Sequence, residues 1–293
     1  MQRNALVVIS YYDRHPIDNL SQLLKTLMQH PAGGEFDICI VVNRTKEEKI
    51  SLPDEYAGVP ILYRHNLGMN IGAWDHGWRT YPDYRYYLFL QDECYVIRDH
   101  WLAGFTSILD DPKIGFVGES LNAAWDRAWT ELARRFGDSF MPGHFVKGRP
   151  ANRIDSYLSF LEQHGVDPGA TGRHLRSLVW FCSAAVLKEI NGFLIGRNYG
   201  ECIAAEIAAS KQVESVGLKI AQVRDEEFFY VRHLEYNQDR PGGPYTHNVD
   251  YVSYASVRRL LEARERDIRY LFWSKLQKFR GLKRIRFGNS CRD

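Results

Sequence analysis

The chain has 293 residues, of which 45% are hydrophobic and 25% charged, and its formal net charge is +2. This composition is typical of a globular protein with one large or two small domains, and it gives no reason to expect wholesale nucleic-acid binding. The five cysteines form no C-x-x-C pair, which favours a reducing compartment over a disulfide framework. No signal peptide or membrane-spanning run is visible, so we expect a cytoplasmic protein that is free or peripheral to a membrane.

Apolar runs and helical patterns alternate over the first hundred residues. Runs rich in β-branched and aromatic side chains predict four strands, at 5–10, 36–43, 60–66 and 86–91. Helical spacing of apolar side chains predicts a helix at 16–30, and a second helix is expected at 70–82 after a glycine turn. Near-continuous apolar strands separated by helices indicate a mostly parallel sheet covered on both faces. The predicted fold class is therefore α/β.

The rest of the chain changes character twice. Residues 119–176 are rich in Trp, Arg and Gly, and we predict an insertion that shapes one side of a substrate cleft. A strand followed by a helix is expected at 178–193, and a helix followed by a strand comes after it. The last stretch has one long helical pattern. These changes predict a catalytic domain over 1–254 and a separate helical extension over 255–293.

Two carboxylates stand directly after the fourth predicted strand. In open α/β sheets ligands bind beyond the carboxyl ends of the strands, which is where Asp92 and Glu93 should lie. The segments "SYYD" and "NR" follow the first and second strands and should lie beside them. Carboxylates next to a buried strand need a compensating cation or hydrogen bonds. We expect a divalent metal; the alternative is an ion pair with Arg98 or a helix cap.

Four stretches, in this order along the chain, resemble motifs of the family-2-type bacterial glycosyltransferases. They are "HNLGMNIGAWDHGW" (65–78), "LFLQDE" (88–93), "WFCSAAVLKEINGF" (180–193) and "AEIAASKQVESVGLKI" (205–220). The resemblance covers about residues 5–235. It implies the glycosyltransferase A (GT-A) fold, which is Rossmann-like with a mostly parallel central sheet flanked by helices, here with a C-terminal helical extension. It also implies a nucleotide-sugar donor.

The chain departs from the family pattern at two positions. Gln91 stands where the D-x-D motif has its first aspartate, and Ala205 replaces one carboxylate of the Glu-Asp dyad. By resemblance, Glu93 is a direct ligand of Mn²⁺ or Mg²⁺. Asp92 is expected either to bind the metal or to contact the donor through its ribose, its sugar or a bridging water molecule. Related enzymes often supply a late histidine, for which His233 is the candidate. Its alternative is an ordinary polar histidine.

An inverting transfer needs a base that removes the proton of the acceptor hydroxyl. Glu206, in the first turns of a predicted helix, is the preferred candidate, and Glu201 is its competitor. Either residue could instead be a carboxylate that favours the helix N-terminus through the helix dipole.

Donor recognition is expected at the strand ends and at the turn before the second helix. Glycine at 68 and 72 permits close backbone approach to a nucleotide, although simple turn chemistry explains these glycines equally well. Asp75 is a candidate partner for a sugar hydroxyl. The remaining candidate donor-binding residues are Ser10, Tyr11, Tyr12, Asn43, Asn66, Asn70 and Asp92.

The segment 264–287 is basic and aromatic, with apolar side chains at helical spacing. That pattern favours an interfacial helix on an anionic membrane surface. The alternatives are a helix packed on the catalytic domain and a homodimer contact. Nucleic-acid binding is disfavoured because the basic charge is confined to one helix with an apolar face.

The preferred function is that of a metal-dependent, inverting glycosyltransferase, a hexosyl- or related sugar transferase. Its acceptor would be a surface polysaccharide or a lipid-linked oligosaccharide at the cytoplasmic face of the membrane. One alternative is a catalytically degenerate protein that binds a nucleotide-sugar or a glycan, because Gln91 and Ala205 depart from the motifs. A sugar nucleotidyltransferase is disfavoured, because "SYYDRHPIDN" lacks the glycine-rich loop expected after its first strand.

Overall fold

The computed structural model describes residues 3–136, 139–146, 149–234 and 252–253. Its strands are β1 Arg3–Tyr12, β2 Phe36–Arg44, β3 Ile61–His65, β4 Tyr84–Gln91, β5 Cys94–Val96, β6 Ile114–Gly118, β7 Ser139–Val146, β8 Arg149–Asn152, β9 Val179–Ser183, β10 Lys219–Gln222, β11 Val231–His233 and β12 Val252–Ser253. Its helices are α1 Ile17–Gln29, α2 Met69–Thr80, α3 Trp101–Ile108, α4 Trp129–Arg135, α5 Arg153–Gln163, α6 Ala184–Glu189 and α7 Tyr199–Ser215.

The central sheet has seven strands in the order β10-β6-β9-β4-β1-β2-β3. Strand pairs β1–β2, β2–β3, β1–β4 and β6–β10 are parallel, whereas β9 runs antiparallel to both β4 and β6. The sheet is therefore mostly parallel, and the predicted α/β fold class is confirmed. The strand order reverses beside β1, and such a switch point is where open α/β sheets bind ligands.

Alternation along the strands divides the core into two layers. In β1, Leu6 and Val8 face a layer that contains α2 and α7, whereas Val7 and Ile9 face a layer that contains α1 and α3. Because both faces are covered, each strand is apolar at almost every position, which is the pattern seen in the sequence. The fully buried Trp74 of α2 packs 5.1 Å from Trp180 of β9, between ring centroids. These layers fix the positions of the strand ends.

The segment 119–176 contains more regular structure than its sequence predicts. Weak helical patterning of the sequence at 124–136 and 154–164 corresponds to two helices, α4 and α5, while β7 and β8 form an antiparallel pair that the sequence analysis did not foresee. Helix α5 begins at the Asn152 cap, whose side chain accepts a hydrogen bond from the backbone N–H of Asp155 at 2.8 Å. Helix α5 packs against α7 and so brings the segment onto the catalytic sheet.

A short two-stranded sheet crosses the end of β4. Strand β11 pairs antiparallel with β5, and His233 stands opposite Cys94 in this register. The pairing brings a residue from the end of the described core beside the carboxylates that follow β4. The basic segment 264–287 lies outside the described residues, so its predicted membrane and dimer roles stay predictions. None of the helices in the described ranges is long and apolar enough to cross a membrane.

The buried side chain of Glu119, directly after β6, anchors the segment that leads into β11. Its carboxylate accepts backbone N–H bonds from Phe229 at 2.7 Å, Tyr230 at 3.0 Å and Val231 at 2.8 Å. Burial raises the pKa of Glu119 to about 7, although these three hydrogen bonds act in the opposite direction. The position of His233 therefore depends on a carboxylate more than a hundred residues away in the chain.

We expect Glu119→Gln to change how stability depends on pH. A carboxyl whose pKa is higher in the folded state contributes stability that is present below its unfolded pKa and is lost as the pH rises through its folded pKa. The stability advantage of the wild type over Glu119→Gln should thus shrink by about 2–3 kcal/mol between pH 5 and pH 8. Urea unfolding across this range measures it. The exposed Glu226→Gln is the matched control, and a pH-independent difference for Glu119→Gln would contradict the assignment.

Candidate active site

A cleft of about 580 Å³ opens at the carboxyl ends of β1, β2 and β4. The α7 side and the segment 119–176 supply its other walls. Eight of the predicted site residues line it: Ser10, Tyr12, Asn43, Asn66, Asn70, Asp92, Glu93 and Glu206. The tertiary structure therefore gathers the predicted strand-end residues and the preferred base into one space.

Asp92 is buried and bonded to a histidine that the sequence analysis did not select. Its carboxylate Oδ2 lies 2.9 Å from Nδ1 of His15, which stands in the loop after β1. Burial raises the pKa of Asp92, and the hydrogen bond to Asp92 raises the pKa of His15. The alternative partner Arg98 instead donates to the carbonyl of Phe229 at 2.8 Å. The only sequence signal for His15 was its place in a strand-end loop.

Glu93 and His233, both predicted metal ligands, are neighbours. Nε2 of His233 lies 3.8 Å from Oε2 of Glu93 and 3.3 Å from Oε1 of Gln91. The Gln91 amide donates to the carbonyl of Ser177 at 2.6 Å, so its oxygen faces the imidazole. Gln91, in the slot of the first D-x-D aspartate, thus serves as a bridge between β4 and Ser177, two residues before β9.

A hard divalent ion at this point would need a suitable set of protein ligands. No group of three or more His, Cys, Asp or Glu side chains within the described ranges is arranged to hold a metal. One carboxylate and one imidazole are nevertheless present, and Mg²⁺ or Mn²⁺ commonly uses one or two protein ligands completed by substrate phosphates and water. Glu93 and His233 lie close enough to share an ion once Nε2 of His233 gives up its contact with Gln91, although His233 is not among the described cleft-lining residues, and Asp92 is engaged by His15.

Glu206 lies on the wall of the cleft formed by α7, with its side chain 18% exposed. The hydroxyl of Ser177 donates to its Oε2 at 2.6 Å, and Nε2 of His174 lies 3.3 Å from its Oε1. Burial acts to raise the pKa of Glu206, but His174 and Ser177 outweigh it and lower the pKa below its ordinary value. The result is an ionised carboxylate that faces the cleft at neutral pH.

Glu201, the competing base, has the hydrogen bonds of a helix cap. Its carboxylate accepts from the backbone N–H of Arg197 at 2.8 Å and from the side chain of Asn198 at 2.9 Å. The Asn198 side chain in turn accepts from the backbone N–H of Glu201 at 3.0 Å, which closes a reciprocal cap at the start of α7. Glu201 is not among the described residues that line the cleft. This geometry favours Glu206 as the base.

Two predicted donor-binding residues also lie outside the described cleft lining. Asp75 accepts from Trp78 at 3.0 Å and from the backbone N–H of Phe193 at 3.0 Å, and it pairs with Arg79 at 2.8 Å. These bonds join α2 to the loop after α6. Tyr11 is buried, and its hydroxyl donates to the carbonyl of His15 at 2.8 Å. Both residues shape the surroundings of the site through contacts with protein groups.

A hydrogen-bond network holds the turn between β3 and α2. The buried Asn43 donates to the carbonyl of Met69 at 2.9 Å and accepts from Arg64 at 2.6 Å, while Arg64 also donates to the carbonyl of Leu67 at 2.6 Å. Gly68 has a φ of 75°, in the left-handed region that favours glycine. This turn chemistry accounts for Gly68. Asn43 is thereby a support for the cleft wall as well as part of it.

Several cleft residues were not identified from the sequence. Arg176 and Arg153 bring positive charge to the lining, and the guanidinium of Arg153 lies 5.1 Å from the ring centroid of Trp125. The other unforeseen lining residues include Met69, Asn122, His174, Ser177, Leu178, Tyr199, Cys202, Ile203 and Ile207. Most belong to 119–176 or to α7, where sequence patterns predicted a cleft wall without assigning individual side chains.

Comparison with known proteins gives structural likenesses at low sequence identity. No family model and no curated protein matches the chain. It is similar to the mannosyltransferase PcManGT from Pyrobaculum calidifontis in complex with GDP-Man and Mn²⁺, with a TM-score of 0.49 and 10% identity over 77% of this chain and 56% of that chain. It is also similar to S. aureus TarS 1-349 in complex with UDP-GlcNAc, with a TM-score of 0.42 and 13% identity over 78% of this chain and 57% of that chain.

The chain spans under two-thirds of the length of these structures. Likenesses of this strength do not assign an activity. The fold itself is an α/β fold in which a mostly parallel sheet flanked by helices places a cleft at the ends of β1 and β4, and this arrangement is compatible with the fold that the motif resemblance implies. What the protein does has to be argued from the residues of that cleft.

We expect His15→Gln to lower the free energy of unfolding by about 1–3 kcal/mol at pH 6, because it weakens the bond to the buried Asp92. The raised pKa of His15 means that this stabilisation is present below the ordinary value of 6.5 and is lost as the pH rises through the folded pKa. The deficit should therefore shrink at pH 9. Chemical unfolding at both pH values measures it.

The matched control is His30→Gln, which removes a similar histidine–aspartate contact at the surface. Nδ1 of His30 lies 2.8 Å from Asp99, whose side chain is 56% exposed. An exposed pair contributes at most about 1 kcal/mol. Equal deficits for the two variants would show that burial of Asp92 does not make its partner important.

Proposed function

We propose that this protein is a glycosyltransferase that moves a sugar from a nucleotide-sugar donor to a hydroxyl group of a saccharide acceptor. The observation that carries the proposal is one cleft that contains both an ionised, oriented Glu206 and the strand-end carboxylates Asp92 and Glu93. An acceptor-activating base and a diphosphate-binding strand end are the two parts that such a transfer requires.

In the proposed reaction the Glu206 carboxylate takes the proton of the acceptor hydroxyl while its oxygen attacks the anomeric carbon. The bond between that carbon and the diphosphate breaks, and the electron pair leaves with the diphosphate. Attack from the face opposite the leaving group inverts the anomeric configuration. The lowered pKa of Glu206 keeps it in the basic form at neutral pH. Ser177 restrains one carboxylate oxygen by its hydrogen bond of 2.6 Å.

The leaving diphosphate needs positive charge. Glu93 and His233 would hold Mn²⁺ or Mg²⁺, which would supply that charge to the diphosphate oxygens. His15 and Arg176 line the same cleft. Arg176 and the protonated form of His15 add positive charge to it. Ser10, Tyr12, Asn66 and Asn70 are proposed to contact the nucleotide and its sugar. In this proposal the strand ends bind the donor, and α7 supplies the base.

The proposal extends to the sugar, the acceptor and the place of the protein in the cell. The sugar is proposed to be a hexose or a related residue. The acceptor is a surface polysaccharide or a lipid-linked oligosaccharide, and the basic segment 264–287 is proposed to place the protein on the inner membrane face or to contribute to a homodimer. These follow from the motif resemblance and from the composition of that segment.

A second candidate is a protein that binds a nucleotide-sugar or glycan without catalysis. Gln91 favours it, because its amide is committed to Ser177 and His233 where the family motif supplies a carboxylate. Ala205 is not a comparable defect, because it is buried in the core at 1% exposure and its neighbour Glu206 is the side chain that reaches the cleft. Binding without turnover of any donor would favour this candidate.

We expect Glu206→Gln to lower the rate of sugar transfer, or of donor hydrolysis with water as acceptor, by about 10²- to 10⁴-fold. Nucleoside diphosphate affinity should stay within about threefold, since the base acts on the acceptor. The matched control is Glu201→Gln on the same helix, which should cost stability through the cap and leave the rate within about threefold. A large loss of rate for Glu201→Gln with Glu206→Gln active would reverse the assignment of the base.

A thermal-shift panel of nucleoside diphosphates and nucleotide-sugars, including GDP-mannose and UDP-GlcNAc, tests donor binding and metal dependence together. A ligand that binds only the folded state raises the melting temperature with its concentration. We expect nucleotides with one particular nucleobase to give the largest shift. With EDTA, or in Glu93→Gln, at least tenfold more ligand should be needed to give the same shift. Absence of any nucleotide-dependent shift with Mn²⁺ or Mg²⁺ present would contradict the proposed function.

A further inference from the structure

Glu206 is held by a histidine that comes from the segment 119–176. His174 is 2% exposed, and its Nε2 lies 3.3 Å from Oε1 of Glu206. Its other ring nitrogen, Nδ1, lies 2.7 Å from the carbonyl oxygen of Gly172. A carbonyl oxygen only accepts hydrogen bonds, so Nδ1 carries a proton and donates it there. The ring orientation and one of its two protons are thereby fixed by the backbone.

The remaining nitrogen faces a carboxylate oxygen, and two bare lone pairs would repel at this distance. A shared proton between Nε2 of His174 and Oε1 of Glu206 removes that repulsion. Asn122 also lies near this nitrogen, with its amide 3.3 Å away. Because the oxygen and nitrogen of an amide exchange places by rotation, Asn122 can present an acceptor to a protonated ring.

The imidazole has little freedom to move. Its ring packs edge-on against Trp125 at 5.6 Å between centroids. The peptide bond that follows His174 is anchored at both of its polar groups, because Asn122 donates its N–H to the carbonyl of His174 at 2.9 Å and Ser210 accepts the N–H of Leu175 at 3.0 Å. Ser210 belongs to α7, the same helix as Glu206. A rigid histidine thus contacts a carboxylate that the helix presents to the cleft.

We propose that His174 is a positioning residue for the base: its contact restricts the Glu206 carboxylate to the orientation that faces the acceptor hydroxyl. The proposal rests on the proposed function, in which Glu206 removes that hydroxyl proton. It assigns a catalytic contribution to the segment 119–176, whose sequence indicated only a cleft wall. Ser177 restrains the second oxygen, so the carboxylate is gripped from two sides.

The proton balance of the step follows from this arrangement. The acceptor O–H bond breaks and its proton goes to Glu206, the acceptor oxygen bonds to the anomeric carbon, and the electron pair of the broken glycosidic bond leaves with the diphosphate. The proton on His174 stays in place throughout, so the ring acts on the reaction through Glu206 alone. Cationic Arg153 and Arg176 also line the cleft.

Other titratable side chains also line the cleft around Glu206. Tyr199 and Cys202 precede it on α7 and line the same cleft, while Asp92 and Glu93 line it from the strand ends. Burial raises the pKa of the Cys202 thiol to about 11, so it stays neutral at pH 7. The strand-end carboxylates have the wrong sign to favour a second ionised group. Among the described side chains, the contacts to His174 and Ser177 are the ones that lower the pKa of Glu206.

The kinetic test uses His174→Gln in the full chain, with hydrolysis of the panel's preferred nucleotide-sugar as the readout. We expect kcat to fall about 10- to 100-fold, as for a misplaced catalytic group, with KM for the donor within about threefold. The loss should be larger at pH 6 than at pH 8, since Glu206 loses the contact that lowers its pKa. His164→Gln, in the same segment but outside the described cleft lining, should keep the wild-type rate at both pH values.

A double variant separates positioning from simple loss of structure. If His174 acts through Glu206, adding His174→Gln to Glu206→Gln should change the remaining rate by less than about threefold. An equal additional loss in the double variant would overturn the proposal. So would a His174→Gln variant that keeps the wild-type kcat, or one that loses rate equally at all pH values together with nucleotide affinity.

A spectroscopic arm needs no activity and so distinguishes failure of this proposal from failure of the proposed function. Imidazole ¹⁵N spectra at pH 7, with the His174 signals identified from His174→Gln, should show both ring nitrogens protonated in the wild type. In Glu206→Gln, Nε2 should lose its proton while Nδ1 keeps it. A bare Nε2 in the wild type would refute the proposal, whether or not the protein turns over a donor.

Discussion

The structure depends on the groups that compensate the carboxylates buried near the ends of its strands. Removing an ionised carboxylate from water costs several kcal/mol unless hydrogen bonds or a cation replace the lost hydration. Asp92 has His15, Glu119 has the backbone N–H groups that lead into β11, and Glu206 has His174 and Ser177. Each compensating group comes from a distant part of the chain. The cleft therefore forms only when the whole sheet has formed.

Ser177 connects the two halves of this cleft. Its carbonyl accepts from Asn70 at 2.7 Å and from Gln91 at 2.6 Å, while its hydroxyl donates to Glu206 at 2.6 Å. Ser177, two residues before β9, thus joins the first turn of α2, the end of β4 and Glu206 on α7. In the proposed reaction this places the donor side and the acceptor side in a fixed relation, as proximity catalysis requires.

The two departures from the family motifs have different structural meanings. Gln91 is one methylene longer than the aspartate of the motif and carries an amide donor, and it uses both ends of its amide to tie Ser177 to His233. Ala205 faces the packed core, where an ionised side chain would lack water. A single carboxylate at the dyad position is therefore compatible with the proposed base, and Gln91 is the departure that bears on the proposed metal site.

The sequence by itself determined the α/β fold class, the order of the first four strands and the group of residues at their ends. Those properties come from local periodicity and from the rule that parallel strands end at one edge of a sheet. It also singled out Glu206, but without a reason to prefer it over Glu201 beyond the motif. Only the tertiary structure decided between a capping and a cleft-facing carboxylate, replaced the expected cation at Asp92 with His15, and brought His174 to Glu206. These pairings join residues roughly 30 to 80 positions apart, and a pattern that repeats every two or four residues carries no information about them.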